Sequence, residues 1–445
     1  MKTSLFPPGL TKSHVFRLAT LVFLAKVIYS FTLENGILLG ADGENYLSQV
    51  ESLEKDGIFA KDLLYWPAGY AISVWVFKFL TFGSTLIGLS ILQSFVWSLS
   101  VFALSNSLQS TNLKKYTTFL AYLLLLNPTL TLSSIAVGYE SVAASISILS
   151  LSLCIYAYQS ENRRKKFQLF ASAASLMGYA SILQPRLIPG YLLCLAAFTW
   201  RKKVLSKEAG SLLLVVLLCF AVFPTALIAK NVISNNQPVM STNLGINMLM
   251  GAGDDSTGAY NTKPTGITCS AVGGNESAID REKVRCALAW HLSNPIQSLN
   301  LAFKKSTHFW STWWGPVATG TMARNPYLDF HPVKSLIQTR EDLVLVAGPV
   351  GVTYSWIIIL LGWLLLALGT GRFLHGKPIE RRIGLGSIAI VLGSWAASVV
   401  VFGDHRFRIP IMGLSILIQL YGLSVLGKLL KNFIGKKKKK ANIWS

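Results

Sequence analysis

The sequence predicts an all-α protein that crosses a membrane many times, and three observations lead there. Hydrophobic residues make up 52% of the 445-residue chain and charged residues only 14%, a balance that a soluble protein of this length does not carry. The apolar residues gather into runs of the length needed to cross a bilayer. The basic residues, which set a formal charge of +21, fall in short clusters between those runs. Clusters of Lys and Arg beside apolar runs mark cytoplasmic loops, so the charge reports topology and not a nucleic-acid surface.

The first apolar segment, residues 15–31, contains Arg17 and Lys26 and lacks a small-residue cleavage site, so it is expected to be a retained helix and not a signal peptide. A polar stretch follows, from Gly40 to Gly69, rich in acids and glycines. Lipid cannot satisfy irregular backbone, so this stretch must lie at the membrane surface or line a watery cavity. From Tyr46 its pattern is amphipathic, with Tyr46, Leu47, Val50 and Leu53 on one side and Gln49, Glu51, Glu54 and Lys55 on the other, which predicts a helix lying flat on the bilayer. Asp42, just ahead of it, stands where a carboxylate either caps the helix or is free for chemistry.

Apolar runs follow at 68–82, 86–108, 116–132 and 141–158, and the last ends at Arg163-Arg164-Lys165-Lys166. If the N-terminus is also cytoplasmic, an even number of crossings must precede that cluster, whereas five candidates precede it. The region 68–108 is therefore expected to hold a half-helix or a bent crossing. The run 167–200 is broken in its middle by Gln184-Pro185-Arg186 and predicts a helical hairpin whose tip carries Arg186. A span at 212–228 leads to the largest polar insert, which holds Cys269, Cys286 and the acceptor-like triplet Asn275-Glu276-Ser277. Of the five cysteines only Cys269 and Cys286 flank a polar loop, and they form a disulfide if that loop faces an oxidising compartment. The aromatic, Gly-rich region 310–326 suits an interfacial segment. Crossings at 343–368, 385–401 and 409–426 complete the chain, the last pair joined by Gly403-Asp404-His405-Arg406-Phe407-Arg408, and Lys436 to Lys440 form a cytoplasmic basic tail.

Three regions result: 1–229, an N-terminal transmembrane module including the outer loop 34–67; 230–342, an outer polar segment with interfacial helices; and 343–445, C-terminal transmembrane helices with the basic tail. This topology brings Asp42 with Glu44, Glu140, Arg186, and His405, Arg406 and Arg408 to one face. Each has a plain reading, since Glu140 can cap the helix beginning at Ser141, Arg186 can snorkel, and the final cluster can anchor an interface. Together they offer acids to activate an acceptor and cations to hold a phosphate, with Arg able to bind in a bidentate fork.

Asp42-Gly43-Glu44-Asn45-Tyr46 and Trp66-Pro67-Ala68-Gly69-Tyr70 resemble the acid and the proline-glycine signature in the first loop of GT-C membrane glycosyltransferases, in particular protein O-mannosyltransferases and lipid A aminoarabinose transferases. Asn127-Pro128 with Tyr139-Glu140 resembles their helix-ending proline and second acid. Gln184-Pro185-Arg186 is similar to their hairpin tip, where Arg more usually precedes Pro. Lys230-Asn231 with Ser241 to Asn247 and Gly251 is similar to the start of their outer segment, and Gly403 to Pro410 to the segment before their last helix. Trp313-Trp314-Gly315 lacks the Asp-Tyr of the oligosaccharyltransferase acceptor motif, and no large C-terminal polar domain is expected, which sets the chain apart from N-linked oligosaccharide transfer.

The resemblance implies a GT-C-like bundle of about 9–11 transmembrane helices, multi-pass in the plasma or inner membrane, with its site on the non-cytoplasmic face. It implies transfer of one hexosyl or pentosyl group from a polyprenyl-phosphate sugar to a hydroxyl or amine of a glycan, lipid or protein, with inversion. Asp42 would be the general base, Glu44 and Glu140 would orient the acceptor or hold a divalent metal if one is used, and Arg186, His405, Arg406 and Arg408 would bind the donor phosphate. The partners implied are membrane lipid and the lipid-linked donor, with no nucleic acid. A transporter or flippase of a lipid-linked sugar is the alternative, and a scaffold without activity a third; a transporter should show charges at helix centres and repeated halves, and no internal repeat is evident.

Overall fold

The computed structural model describes residues 12–39, 42–81, 86–199, 207–260, 265–269, 273–310, 337–339, 344–346 and 348–441. The cluster Arg201-Lys202-Lys203 and the aromatic region from Ser311 to Pro326 lie outside them. Within them the protein is an α-helical bundle, with a single three-residue ribbon, β1 (Ile337–Thr339) paired antiparallel with β2 (Val344–Val346). Among the described residues, seven helices are long and apolar enough to cross a membrane.

Helix α1 (Lys12–Thr32) pairs antiparallel with α4 (Leu86–Ser107): Phe16 meets Phe102 at 5.7 Å between ring centroids and Phe23 meets Phe95 at 5.9 Å, one partner rising in number as the other falls. Between them lie α2 (Gly43–Asp56) and α3 (Gly69–Leu80). Tyr46 meets Tyr70 at 5.1 Å, and Glu54 forms an ion pair with Lys78 at the same sequence offset, so α2 and α3 run parallel. Twelve residues rise about 18 Å, too little for a hydrocarbon core of about 30 Å. Gly36, at a positive φ of 69°, lies so close to Ile87 that a Cβ there would stand 2.6 Å from the Ile87 Cβ. The end of α1 and the start of α4 therefore share one end of the bundle, and α3 is the half-helix expected between residues 68 and 108.

The run 116–132 divides into α5 (Thr117–Leu125) and α6 (Pro128–Ser133), with Asn127 capping the second through a 3.1 Å bond from the Leu130 N–H. Leu38 then exchanges backbone bonds of 2.8 and 2.9 Å with Ile135 and Val137, which returns the chain to the end reached by α1. Helix α7 (Tyr139–Gln159) runs back through the middle, buried around most of its circumference by small residues. Four crossings thus precede Arg163, the even number that the basic clusters require.

Helix α8 (Arg163–Leu183), a turn at Pro185–Leu187 and α9 (Ile188–Thr199) form the hairpin. Helix α10 (Lys207–Asn235) rises beside it and meets the loop after α2, with Lys230 Nζ donating to the Ala60 carbonyl at 3.0 Å and Asn235 Nδ2 to that of Lys61 at 2.7 Å. The polar segment follows, with α11 (Leu244–Met250), α12 (Glu276–Ser293) and α13 (Pro295–Trp310). Cys269 and Cys286 are joined there by a disulfide with Cα atoms 5.8 Å apart, and Asn275 caps α12 through a 3.0 Å bond from the Ala278 N–H. Three long helices close the bundle: α14 (Gly348–Leu374), α15 (Pro378–Val400) and α16 (Ile409–Ala441).

The two ends of the bundle differ chemically. One carries Asp42, Glu140, Arg186, residues 236–260, 265–269 and 273–310, and the loop 401–408. The other carries Lys114, Lys115, Arg163 to Lys166, Arg372, Lys377, Arg381 and Arg382, with Arg382 Nη1 donating to the Phe198 carbonyl at 3.0 Å.

Candidate active site

The first acid is set by how α2 begins. Asp42 occupies the N-cap position at φ −103° and ψ 2°, outside the extended geometry of a capping residue, and its side chain makes no capping bond. The carboxylate instead meets Arg406, with Nη1 2.7 Å from Asp42 Oδ2. Both side chains are largely buried, at 13% and 16% exposure, where an ion pair is less screened than at a surface.

Arg406 comes from a turn that the sequence pattern alone suggests as extended chain. Residues His405–Arg408 form a 3-10 turn, opened by Asp404, whose Oδ1 accepts from the Arg406 N–H at 2.9 Å. Asp404 Oδ2 also lies 3.2 Å from Arg406 Nε. In a 3-10 helix successive side chains are separated by about 120°, so residues 406 and 408 diverge. Arg406 faces Asp42. Arg408 is buried over the Trp310 ring, 5.7 Å from its centroid, and lines a small separate cleft with Ile358, Gly362, Met412 and Gln419. Arg406 and Arg408, expected together at the donor phosphate, are therefore turned to different places by the 3-10 geometry. His405 is buried with its Nδ1 3.6 Å from Asp404 Oδ1 and does not line the cavity that Asp42 and Arg406 share.

The hairpin tip supplies the second cation. Gln184 is extended at φ −152°, as the residue before a proline tends to be, and Arg186 follows in the turn. Gln184 Nε2 and Arg186 Nη2 both donate to the Tyr139 hydroxyl, at 2.8 and 2.7 Å. The Arg186 guanidinium lies over the Phe407 ring with Cζ 3.2 Å from the centroid, and Arg406 approaches the same ring at 5.4 Å. One aromatic ring thus holds two guanidiniums near each other.

These groups line a cavity of about 1030 Å³. Its walls include Asp42, Tyr139, Gln184, Arg186 and Arg406; Tyr65, Trp66, Asn243, Asn247 and Tyr260 form another part. A third part is apolar, with Leu193, Ile228, Leu392, Ala396 and Val400 from α9, α10 and α15. Leu193, Leu392 and Val400 are exposed on the flank of the bundle. Tyr46 lies edge-on to Trp66, Tyr70 and Tyr139. Burial first, then the charges of Tyr139, Glu140 and Asp42, pushes its hydroxyl well above its ordinary range, so it keeps its proton.

The other two acids do not join Asp42. Glu44 is on the exposed side of α2 and does not line the cavity. Glu140 is 1% exposed on the first turn of α7, its carboxylate meets no other residue's hydrogen-bonding group among the described residues, and it acts on Asp42, Arg186 and Arg406 only through space. Among the described residues no three His, Cys, Asp or Glu side chains converge as metal ligands. Glu44 and Glu140 therefore do not converge with Asp42 as a set of ligands around one ion. Sequence reasoning missed Tyr139 and Asp404 as organisers of the site; the pairs Tyr139-Glu140 and Asp404-His405 are visible in the sequence, but not that the hydroxyl of one and the carboxylate of the other meet arginines.

The fold and this site together define an all-α, multi-pass membrane protein with a charged cavity at one end of the bundle. No family model matches the chain, and no curated protein matches it. Among solved structures it is similar to the apo oligosaccharyltransferase of Archaeoglobus fulgidus, at 14% identity and a TM-score of 0.49 over 95% of this chain and 52% of that one. It is also similar to the Archaeoglobus fulgidus oligosaccharyltransferase AglB in complex with an inhibitory peptide and a dolichol-phosphate, at 11% identity and a TM-score of 0.47 over 96% and 52%. The chain spans about half the length of the solved structures it matches.

Proposed function

We propose that the protein is a membrane glycosyltransferase that moves one sugar from a polyprenyl-phosphate donor to an acceptor hydroxyl or amine, as the GT-C-like motifs imply. The observation that carries this reading is the union in one cavity of a carboxylate, Asp42, two guanidiniums, Arg186 and Arg406, and an apolar wall open to lipid on the flank of the bundle. A prenyl chain fits the apolar wall and its phosphate the guanidiniums.

In the reaction the acceptor oxygen or nitrogen forms a bond to the anomeric carbon as the bond from that carbon to the phosphate oxygen breaks, which inverts the centre. Asp42 takes the acceptor proton. Arg186 and Arg406 stabilise the negative charge that develops on the departing carrier phosphate. Tyr139, held by Gln184 and Arg186, sets the position of Arg186. The Lys and Arg clusters at the opposite end support a non-cytoplasmic location for the site.

The test is to incubate purified protein with a panel of polyprenyl-phosphate hexoses and pentoses and follow release of free carrier phosphate. Release that requires Asp42 supports the reading. Movement of intact donor across a bilayer without carrier release would replace it with a flippase.

A further inference from the structure

Asp42 and the carrier phosphate need the same guanidinium. Arg406 makes two hydrogen bonds to carboxylates, its backbone N–H donating to Asp404 Oδ1 at 2.9 Å and its Nη1 to Asp42 Oδ2 at 2.7 Å, while its Nε pairs with Asp404 Oδ2 by charge alone at 3.2 Å, without a hydrogen bond. Asp404 belongs to the same turn as Arg406, so that contact is local. Asp42 belongs to a different part of the chain, 364 residues away in sequence, and it lines the cavity beside Arg406. The Nη1 edge is therefore the part of the guanidinium that can change partner.

We infer that Arg406 is shared between Asp42 and the donor phosphate, so that the phosphate displaces Asp42 from the Nη1 edge as it binds. This rests on the function proposed above. While the two are paired, Asp42 neutralises the cation and the cation occupies one carboxylate oxygen. A phosphate arriving over Arg186 and Arg406 brings a stronger anion to the same fork. Releasing Asp42 returns that oxygen to the cavity at the moment a donor is present, so binding is ordered, donor before acceptor. No bond is made or broken in this step; one ion pair replaces another.

The proposal gives Asp42 and Arg406 opposite signs in a binding measurement that needs no turnover. The probe is farnesyl phosphate, titrated into detergent-solubilised full-length protein. Arg406→Gln should weaken binding at least tenfold. Asp42→Asn should tighten it about tenfold, because the competitor has lost its charge. Removing any nearby acid also favours an anion in general, so the deciding measurement is the double variant: in the Arg406→Gln background, Asp42→Asn should change the affinity less than about threefold. Thermal melting of each variant confirms its fold, and if Arg406→Gln does not fold, Arg406→Lys serves as the background, with the tightening expected to shrink. Equal or weaker binding by Asp42→Asn overturns the inference, as does a tightening that persists in full without Arg406. Failure of the wild-type protein to bind farnesyl or longer polyprenyl phosphates would sink the glycosyltransferase reading together with it, whereas tight wild-type binding indifferent to Asp42→Asn sinks the sharing alone.

Discussion

The Cζ of Arg186 lies 3.2 Å from the centre of the Phe407 ring, while the same guanidinium donates to the Tyr139 hydroxyl at 2.7 Å. The ring comes from the loop before α16 and the hydroxyl from the first residue of α7, so the hairpin tip is fixed against two other parts of the chain. This contact converts a break in an apolar run into a cation of defined position.

A cation stacked on a ring and hydrogen-bonded at its edge depends on the planar guanidinium as well as on its charge. Arg186→Lys should therefore weaken farnesyl phosphate binding by several-fold, and Arg186→Ala by about tenfold or more. Titration of both variants checks this; wild-type affinity in Arg186→Ala would remove Arg186 from the phosphate site.

Asp42→Asn keeps the side-chain shape at a position where no capping bond is lost. Carrier release from an accepted donor should fall by about 10²-fold or more, the usual contribution of a general base, and melting should fall with the loss of the buried pair with Arg406. Wild-type turnover in a folded Asp42→Asn protein would move the base elsewhere.

The parts of this site that were legible in the sequence are those written in local pattern. The interruption at Gln184-Pro185 marks the hairpin, and the parity of the basic clusters calls for a half-helix or a bent crossing somewhere in 68–108, of which α3 is the former. Asp42, Arg186 and Arg406 share a cavity because all three lie in interruptions at the same end. The direction of a side chain within such an interruption depends on backbone geometry that periodicity does not encode. A 3-10 turn in place of extended chain sends Arg408 away from Arg406, and the start of α2 at Gly43 turns Glu44 to the exposed side. The pairing of Asp42 with Arg406 spans 364 positions and leaves no trace in local sequence.

Arg408 provides a contrasting variant. It is buried over Trp310 and outside the main cavity, so Arg408→Ala should leave farnesyl phosphate affinity within about twofold while destabilising the fold by about 0.5–3 kcal/mol, the ordinary range for a disturbed core position. Paired titration and melting check it. A tenfold loss of affinity without loss of stability would return Arg408 to the phosphate site.

The two-ended charge pattern predicts sidedness. In a background lacking Cys154, Cys194 and Cys219, single cysteines at the exposed positions Glu44, Arg163 and Arg381 can be labelled with an impermeant maleimide in intact cells. Position 44 should label from outside, and positions 163 and 381 only after permeabilisation. Labelling of 163 from outside would invert the orientation and place the cavity in the cytoplasm.

The last prediction concerns Lys305, which is 1% exposed on α13 and donates from Nζ to the Val399 carbonyl at 2.9 Å, near the end of α15. A cation beside the last carbonyls of a helix is favourably placed, yet burial pushes this ammonium down from 10.5 to about 8. The folded protein therefore binds fewer protons here than the unfolded chain between about pH 8 and 10.5, and stability must rise with pH across that window. Below about pH 8 both states are protonated, and the cost of the buried charge is present in full. Melting temperatures of the wild type and of Lys305→Met, measured from pH 7 to 10, isolate this group from the other lysines. The wild type should gain on the variant as pH rises above about 8. A constant difference across the range would mean that the bond to Val399, and not the buried charge, sets the contribution of Lys305.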